Sequence, residues 1–195
     1  MDLAELIRSR RSIGLFTDAP VSLELVHELL ESAVYAPNHR LTEPWRFIIL
    51  IGAGRDRYAE IRRDMVLDFM KGQGEAERRQ AAEGTYKKFA NVPLYLLVVM
   101  SKQANTELDV EDYAACCCVI ENFLLLAWER GLGTSWKTFK HDMRLRELAR
   151  LNENERVVGI ISVGYSAEGE RAGARKPAAE RITVLDGSGK IESTL

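Results

Sequence analysis

Apolar residues recur every three to four positions in the N-terminal part of the chain, and this spacing predicts two helices. The first is short and extends from Asp2 to Arg10. The second follows Ser22, a residue type that favours the N-cap position, and it carries a single apolar stripe. It ends at Pro37, because proline lacks the amide hydrogen that a helix interior needs.

Uninterrupted apolar runs predict buried strands, because a strand that is covered on both faces needs apolar side chains at every position. These runs are Trp45 to Ile51, Val92 to Met100 and Val157 to Gly164, and Ile182 to Val184 is a candidate edge strand. The segment from Arg55 to Ala90 is rich in charges and is predicted to be helical, with a break around Lys71 to Gly74. Such a segment is either a solvated surface or a mobile cover over a site.

A further helix, predicted from Asp112 to Arg130, is apolar on nearly every side. A helix without a polar face must be buried all round, either in a large core or against a second subunit. For a chain of 195 residues we favour the second subunit. The separated strands show no regular βαβ alternation, which favours the α+β class over a doubly wound sheet. The length fits one domain, residues 1–195.

The charges are nearly balanced, with 27 basic and 29 acidic residues and a formal net charge of −2. This composition creates no overall field that would attract nucleic acid or an anionic membrane. The N-terminus carries charges where a signal peptide needs an apolar core, and no uncharged run approaches the ~20 residues of a membrane span. We therefore expect a cytoplasmic protein without a nucleic-acid or membrane partner.

The cysteines and histidines do not predict a metal site. Cys116, Cys117 and Cys118 are adjacent, and neighbouring side chains of a helix point about 100° apart, so these three cannot converge on one ion. We interpret them as small buried residues. His39 shows no ligand spacing with His27 or His141.

Two basic motifs are candidates for a phosphate site. Arg10, Arg11 and Ser12 follow the first helix and combine two guanidinium groups with a hydroxyl. Such a set can hold a phosphate through charge-assisted hydrogen bonds, or it can be a solvated basic helix end. The sequence R-K-P, from Arg175 to Pro177, is either a surface tail or a basic arm that folds over a phosphate.

Three connections carry unusual residues. The stretch APNHRLTEPWRF, from Ala36 to Phe47, places a histidine, a tryptophan and an arginine in a turn that has no structural need for them. In GLGTSW, from Gly131 to Trp136, the glycines either end the long helix only or also let the backbone approach a ligand closely. Gly52 to Gly54 follows a strand but lacks the third glycine of the dinucleotide fingerprint, so we interpret it as a turn.

In this order the motifs resemble those of the nitroreductase family, which are FMN-dependent NAD(P)H oxidoreductases. RRSIGLF resembles the family's R-R-S-[IV]-R-x-F, APNHRLTEPWRF resembles A-P-[SN]-x-x-x-x-x-P-W-x-F, and ENFLLLAWERGLGTSW resembles N-L-x-L-A-A-x-x-x-G-L-G-x-x-W. RVVGIISVGYSAE followed by RKP resembles the strand and tail that close the family's domain. His39 suggests the compact subgroup with an Ala-Pro-Asn-His motif. Gly14 stands where an arginine is common.

The resemblance implies an α+β homodimer with a central mixed sheet flanked by helices, a long buried helix at the subunit interface and two FMN sites there. The implied cofactor-binding residues are Arg10, Arg11, Ser12, Tyr35, Pro37, Asn38, His39, Thr134, Ser135, Trp136, Arg175 and Lys176. The basic residues among them, with Ser12, would hold the phosphate and ribityl chain, and the others would approach the flavin ring.

The implied reaction needs no catalytic side chain. Flavin N5 takes hydride from NADH or NADPH, and an organic electron acceptor such as a nitroaromatic or a quinone is then reduced. Two alternatives stay open at this point: a flavin-binding or storage protein without NAD(P)H turnover, and a specialised flavin chemistry on the same fold. The sequence leaves the physiological acceptor and the preferred nicotinamide open.

Overall fold

The computed structural model describes residues 2–138, 142–169, 173–185 and 191–192. The α-helices are α1 (Leu3–Ser9), α2 (Leu23–Ala33), α3 (Gly52–Phe69), α4 (Glu75–Ala90), α5 (Thr106–Glu129) and α6 (Met143–Leu148). The strands are β1 (Trp45–Leu50), β2 (Leu94–Ser101), β3 (Gly133–Lys137), β4 (Glu155–Gly164), β5 (Val184–Leu185) and β6 (Ile191–Glu192). Short 3-10 turns span His39–Leu41 and Ala178–Arg181.

One sheet contains β1, β2, β4 and β3 in that order, and all of its neighbouring strands are antiparallel. Its register places Trp45 opposite Met100. The expected mixed sheet is therefore antiparallel in these four strands, and a parallel pairing is seen only at the isolated bridge between Ser12 and Thr134 within the described ranges. β5 and β6 form a separate antiparallel pair. The α+β class is confirmed.

Hydrophobic cores lie on both faces of the sheet, because successive side chains of β2 point to opposite faces. Leu94 and Leu96 pack in the core that contains α2 and α5. Tyr95 and Leu97 pack in the core that contains α3, α4 and α6. Every residue of β2 except Ser101 is buried, which explains why its sequence is apolar without alternation.

The helix predictions in the first half of the chain are mostly confirmed. Ser22 caps α2 by accepting a 3.2 Å hydrogen bond from the backbone amide of Leu25. The predicted break around Lys71 to Gly74 lies between α3 and α4. The interpretation of Gly52 to Gly54 as a turn is wrong, because these residues begin α3. Gly52 has a φ of +49°, a backbone conformation that glycine adopts without steric cost.

The second half differs more from the predictions. The sequence does not predict β3, since GTSWK contains no apolar run. The edge strand expected at Ile182 to Val184 begins only at Val184. Helix α5 starts at Thr106 rather than Asp112. In the single chain, Val110 and Tyr113 on this helix are 63% and 41% exposed.

Cys116 is buried and Cys118 is exposed, so the interpretation of all three cysteines as buried residues holds only in part. No group of three or more His, Cys, Asp or Glu side chains within the described ranges is arranged to hold a metal ion. His141 lies outside the described residues. In the part of the chain that the structure describes, no helix is both long and apolar enough to cross a bilayer.

Candidate functional site

The segment after α1 joins the edge of the sheet and brings two of the sequence motifs together. Ser12 forms a parallel bridge with Thr134 of β3, and the amide of Ile13 donates a 2.8 Å hydrogen bond to the carbonyl oxygen of Thr134. This approach depends on Gly133, because a Cβ atom there would lie 2.8 Å from Cγ1 of Ile13. The R-R-S and G-L-G-T-S-W motifs are therefore neighbours in space.

A basic cleft of about 450 Å³ opens beside this junction. It is lined by Ile7, Arg8, Arg10, Arg11, Glu121, Gly173 and Arg175. The guanidinium of Arg11 donates to the carbonyl oxygens of Arg8 and Arg10 at 2.7 and 2.6 Å, and it packs so closely on Gly173 that a Cβ atom would not fit there. The described lining residues thus include four guanidinium groups and one carboxylate, whose Oε1 lies 3.6 Å from Nε of Arg10.

Two buried polar atoms near the junction of Ser12 and Thr134 have no hydrogen-bond partner among the described residues. They are Nε of Arg11 and Oγ1 of Thr134. A buried polar group without a partner costs free energy, and native proteins keep few of them. Arg11 lines the cleft, so its unpartnered Nε fits a site that an anionic ligand completes. Thr134 does not line the cleft but lies at the bridge with Ser12. Arg175 lines the cleft, whereas Lys176 is exposed and does not.

The turn that contains Pro37, Asn38 and His39 does not contribute to this cleft. His39 lines a different cleft, of about 270 Å³, together with the first turns of α5. Its Nδ1 lies 3.9 Å from Oε2 of Glu111. Tyr35, just before the turn, is 88% exposed. Within one chain, the structure keeps these predicted site residues apart from the arginines.

The turn itself is strained and is held by α5. Arg40, Leu41 and Glu43 have φ values of 52°, 53° and 44°, a region that residues other than glycine seldom adopt. Oγ1 of Thr42 donates a 2.7 Å hydrogen bond to Oδ1 of Asp112, a fully buried residue of α5. This bond fixes the middle of the turn.

From the junction at Thr134, β3 continues to Trp136 and Lys137. The indole of Trp136 lies over Gly159 of β4, where a Cβ atom would collide with Nε1. The Nζ of Lys137 donates a 2.7 Å hydrogen bond to Oγ of Ser162. Burial, followed by the charges of Lys88 and Arg62, lowers the pKa of Lys137 to about 8.

Sequence reasoning did not identify Lys137, and its neighbours explain why. Lys137 lines a small cavity with Gly14 and Lys88, which are far away along the chain. The one feature of the sequence that could have indicated a buried polar contact is Ser162, a polar residue inside the apolar run of β4. Only the pairing of β3 with β4 places the lysine against that serine.

The comparisons with known proteins identify the family of the chain. The model of the Nitroreductase family matches residues 7–165. A Bacillus subtilis (strain 168) protein named "Putative NAD(P)H nitroreductase YfhC" is 36% identical over 189 residues, which cover 94% of each chain. The fold and the match together define the class, and the chain belongs to the Nitroreductase family.

Solved structures show the same fold. A nitroreductase-like family protein from Bacillus cereus is 35% identical, with a TM-score of 0.82 and coverage of 96% of this chain and 97% of the other. The FMN and NADPH-dependent nitroreductase NfnB from Sphigopyxis sp. strain HMH has a TM-score of 0.72 at 16% identity, covering 97% of this chain and 100% of its own. At that identity the likeness concerns the fold alone.

Proposed function

We propose that this protein is an FMN-dependent oxidoreductase that passes electrons from NADH or NADPH to an organic acceptor such as a nitroaromatic or a quinone. The observation that carries the proposal is the junction at Ser12 and Thr134, which joins the arginine-lined cleft to β3. Bound FMN supplies the hydride and electron transfer. Membership of the Nitroreductase family supports the same reaction class.

In this proposal the arginines bind the FMN phosphate. Arg10, Arg11 and Arg175 approach one cleft from two distant parts of the chain, and guanidinium groups suit the bidentate recognition of phosphate. The unpartnered Nε of Arg11 and Oγ1 of Thr134 then gain hydrogen bonds to the phosphate and to the hydroxyl-bearing ribityl chain. Ser12 and Lys176 do not line the cleft and would assist from the positions next to Arg11 and Arg175 in the chain.

The proposed protein is a homodimer of single-domain chains, residues 1–195. Large apolar side chains are exposed on α1, in and before the turn after α2, and on α5, which supports an interface. They are Leu3, Ile7, Tyr35, Leu41, Val110 and Tyr113. Because the turn at Pro37, Asn38 and His39 lies away from the basic cleft of its own chain, a second copy would bring it to the flavin ring. Ser135 and Trp136 would contact the ring from β3.

The direct test is FMN binding and reduction. The protein is incubated with FMN, desalted, and mixed anaerobically with NADH or NADPH in separate cuvettes. We expect a retained flavin absorption band that bleaches with at least one donor. A protein that retains no flavin would contradict the proposal, and a retained band that resists both donors would favour a flavin-binding protein without turnover.

A variant pair tests the phosphate site. Arg11→Met removes a guanidinium from the cleft, and we expect at least tenfold weaker FMN binding. Arg57→Met is the control, because Arg57 forms a 2.8 Å ion pair with Glu60 on the exposed side of α3. Equal FMN affinity in both variants would exclude the basic cleft as the phosphate site.

A further inference from the structure

One carboxylate lies among the arginines of the basic cleft. Glu121 of α5 is the acidic side chain among the described lining residues, and the other charged ones are Arg8, Arg10, Arg11 and Arg175. The Oε1 atom of Glu121 lies 3.6 Å from Nε of Arg10, which is too long for a hydrogen bond between these groups. Glu121 therefore offers Arg10 a negative charge without a hydrogen bond.

The packing of α1 on α5 sets this contact. Nε1 of Trp128 donates a 3.1 Å hydrogen bond to Oγ of Ser9, the last residue of α1. Glu121 and Trp128 lie on the same face of α5, about two helical turns apart. The face of α5 that holds the end of α1 thus also presents Glu121 to Arg10, which directly follows that helix.

Arg10 keeps an unused hydrogen-bond donor at this contact. Its side chain is 18% exposed, and its Nε, like that of Arg11, is buried without a hydrogen-bond partner among the described residues. The side chain of Glu121 is 48% exposed, so water screens the attraction between the two charges. A phosphate oxygen in the cleft would give Arg10 both a charge and a hydrogen bond.

The carboxylate and a phosphate in this cleft oppose each other. A phosphate monoester carries a charge between about −1.5 and −2 at pH 7. A carboxylate a few ångströms away repels it, and salt weakens this repulsion when the charges are near the surface. Riboflavin, which is FMN without the phosphate, carries no charge that Glu121 would repel.

We propose that Glu121 is an internal counter-ion of Arg10 that competes with the FMN phosphate, so that it lowers the affinity for FMN and keeps the cofactor exchangeable. The inference rests on the proposed function, because FMN is the ligand. Glu121 weakens cofactor binding in this way, whereas the arginines of the cleft strengthen it.

The test compares FMN with riboflavin, because the two flavins differ only in the phosphate. Fluorescence titration at pH 7 gives the dissociation constants for both. In Glu121→Gln we expect about fivefold tighter FMN binding and unchanged riboflavin binding, with a gain for FMN that shrinks as salt is raised. Glu129→Gln is the matched control, since it removes the same charge from an exposed position of α5 that does not line the cleft.

A charge series separates competition from a structural role. Glu121→Lys should bind FMN more tightly than Glu121→Gln, with riboflavin affinity unchanged. If Glu121 instead holds Arg10 in place for the ligand, both substitutions weaken FMN binding, and that result would overturn the inference while leaving the proposed function intact. Equal FMN affinity in Glu121→Gln and the unmodified protein would overturn it as well. A protein that binds no FMN at all would overturn both.

Discussion

Arg46 and Glu155 form a bidentate ion pair across the sheet, with Nε to Oε1 at 2.9 Å and Nη2 to Oε2 at 2.7 Å. The pair links β1 to β4, which are separated by β2 in the strand order. Oε2 of Glu155 also accepts a 2.9 Å hydrogen bond from the amide of Asn152, at the start of the turn into β4. One buried carboxylate thus ties two strands and a turn together.

We expect Glu155→Gln to lower the free energy of unfolding at pH 7 by about 2 kcal/mol, because it weakens charge-assisted hydrogen bonds in a mostly buried setting. Urea denaturation measures the change. Glu153→Gln is the matched control, since Glu153 is exposed two residues earlier. A similar loss in both variants would show that the ion pair contributes no specific stability.

The same pair predicts a pH dependence. The hydrogen bond from Arg46 lowers the pKa of Glu155 below its usual value. The folded protein therefore holds the carboxylate charged at a pH where the unfolded chain takes up a proton, so the stabilisation is complete above about pH 4.3 and is lost as pH falls through the lowered pKa. The stability difference between the unmodified protein and Glu155→Gln should shrink over that acidic range. A difference that stays constant from pH 7 to pH 3 would contradict this.

Gly133 controls how the R-R-S segment meets β3. In Gly133→Ala the new Cβ atom would lie within 2.8 Å of Ile13, so Ile13 must move away from the strand. We expect a stability loss of about 1–3 kcal/mol from overpacking and weaker FMN binding, because Ser12 and Thr134 separate. Flavin fluorescence titration and urea denaturation measure the two effects.

Gly84→Ala is the control for this substitution. Gly84 lies inside α4 with open space where the methyl group of an alanine would point, and alanine should stabilise the helix by about 0.5–1 kcal/mol. FMN affinity should not change. If Gly133→Ala behaved like Gly84→Ala in both measurements, the close approach of Gly133 to Ile13 would contribute neither to stability nor to FMN binding.

Elements that depend on neighbouring residues in the sequence could be predicted, whereas features that depend on pairing between distant parts of the chain could not. The cap at Ser22 and the apolar stripe after it specify α2 locally. The apolar run of β2 indicates that this strand is buried on both faces. GTSWK forms a strand because it pairs with β4, and no feature of its own sequence predicts that pairing. Lys137 shares a cavity with Gly14 and Lys88 and bonds to Ser162, and only the fold brings these parts of the chain together. Motifs predicted the arginines of the cleft, since they are consecutive or carried by the R-K-P tail.

The bond between Thr42 and Asp112 should hold the strained turn in place. In Thr42→Val the hydroxyl is lost while the shape is kept, so we expect the turn to open more often and protease cleavage after Arg40 to become faster. Asp112→Asn should have a related effect, because one of its two acceptor oxygens, which receive bonds from Thr42 and Gln103, is lost. The two substitutions should be less than additive in a double-mutant cycle.

Global stability must be measured in parallel, because Asp112 is fully buried. A turn effect appears as faster cleavage at Arg40 with unchanged cleavage at sites in α3. Fully additive effects of the two substitutions, or uniform acceleration at all sites, would show that the hydrogen bond does not act on the turn.

Lys137 predicts a second pH dependence, in the alkaline rather than the acidic range. Arg62 on α3 and Lys88 on α4 are the charged groups that face it, and Ser162 on β4 is its neutral partner. The folded protein releases the Lys137 proton near pH 8, whereas the unfolded chain keeps it to about pH 10.4, so the unfolded state binds more protons between these values. Stability from this group therefore rises with pH in that window.

Without added flavin, the free energy of unfolding of Lys137→Met should exceed that of the unmodified protein by more at pH 7 than at pH 10. A gap that stays constant between these two pH values would show that burial does not penalise the charge of Lys137.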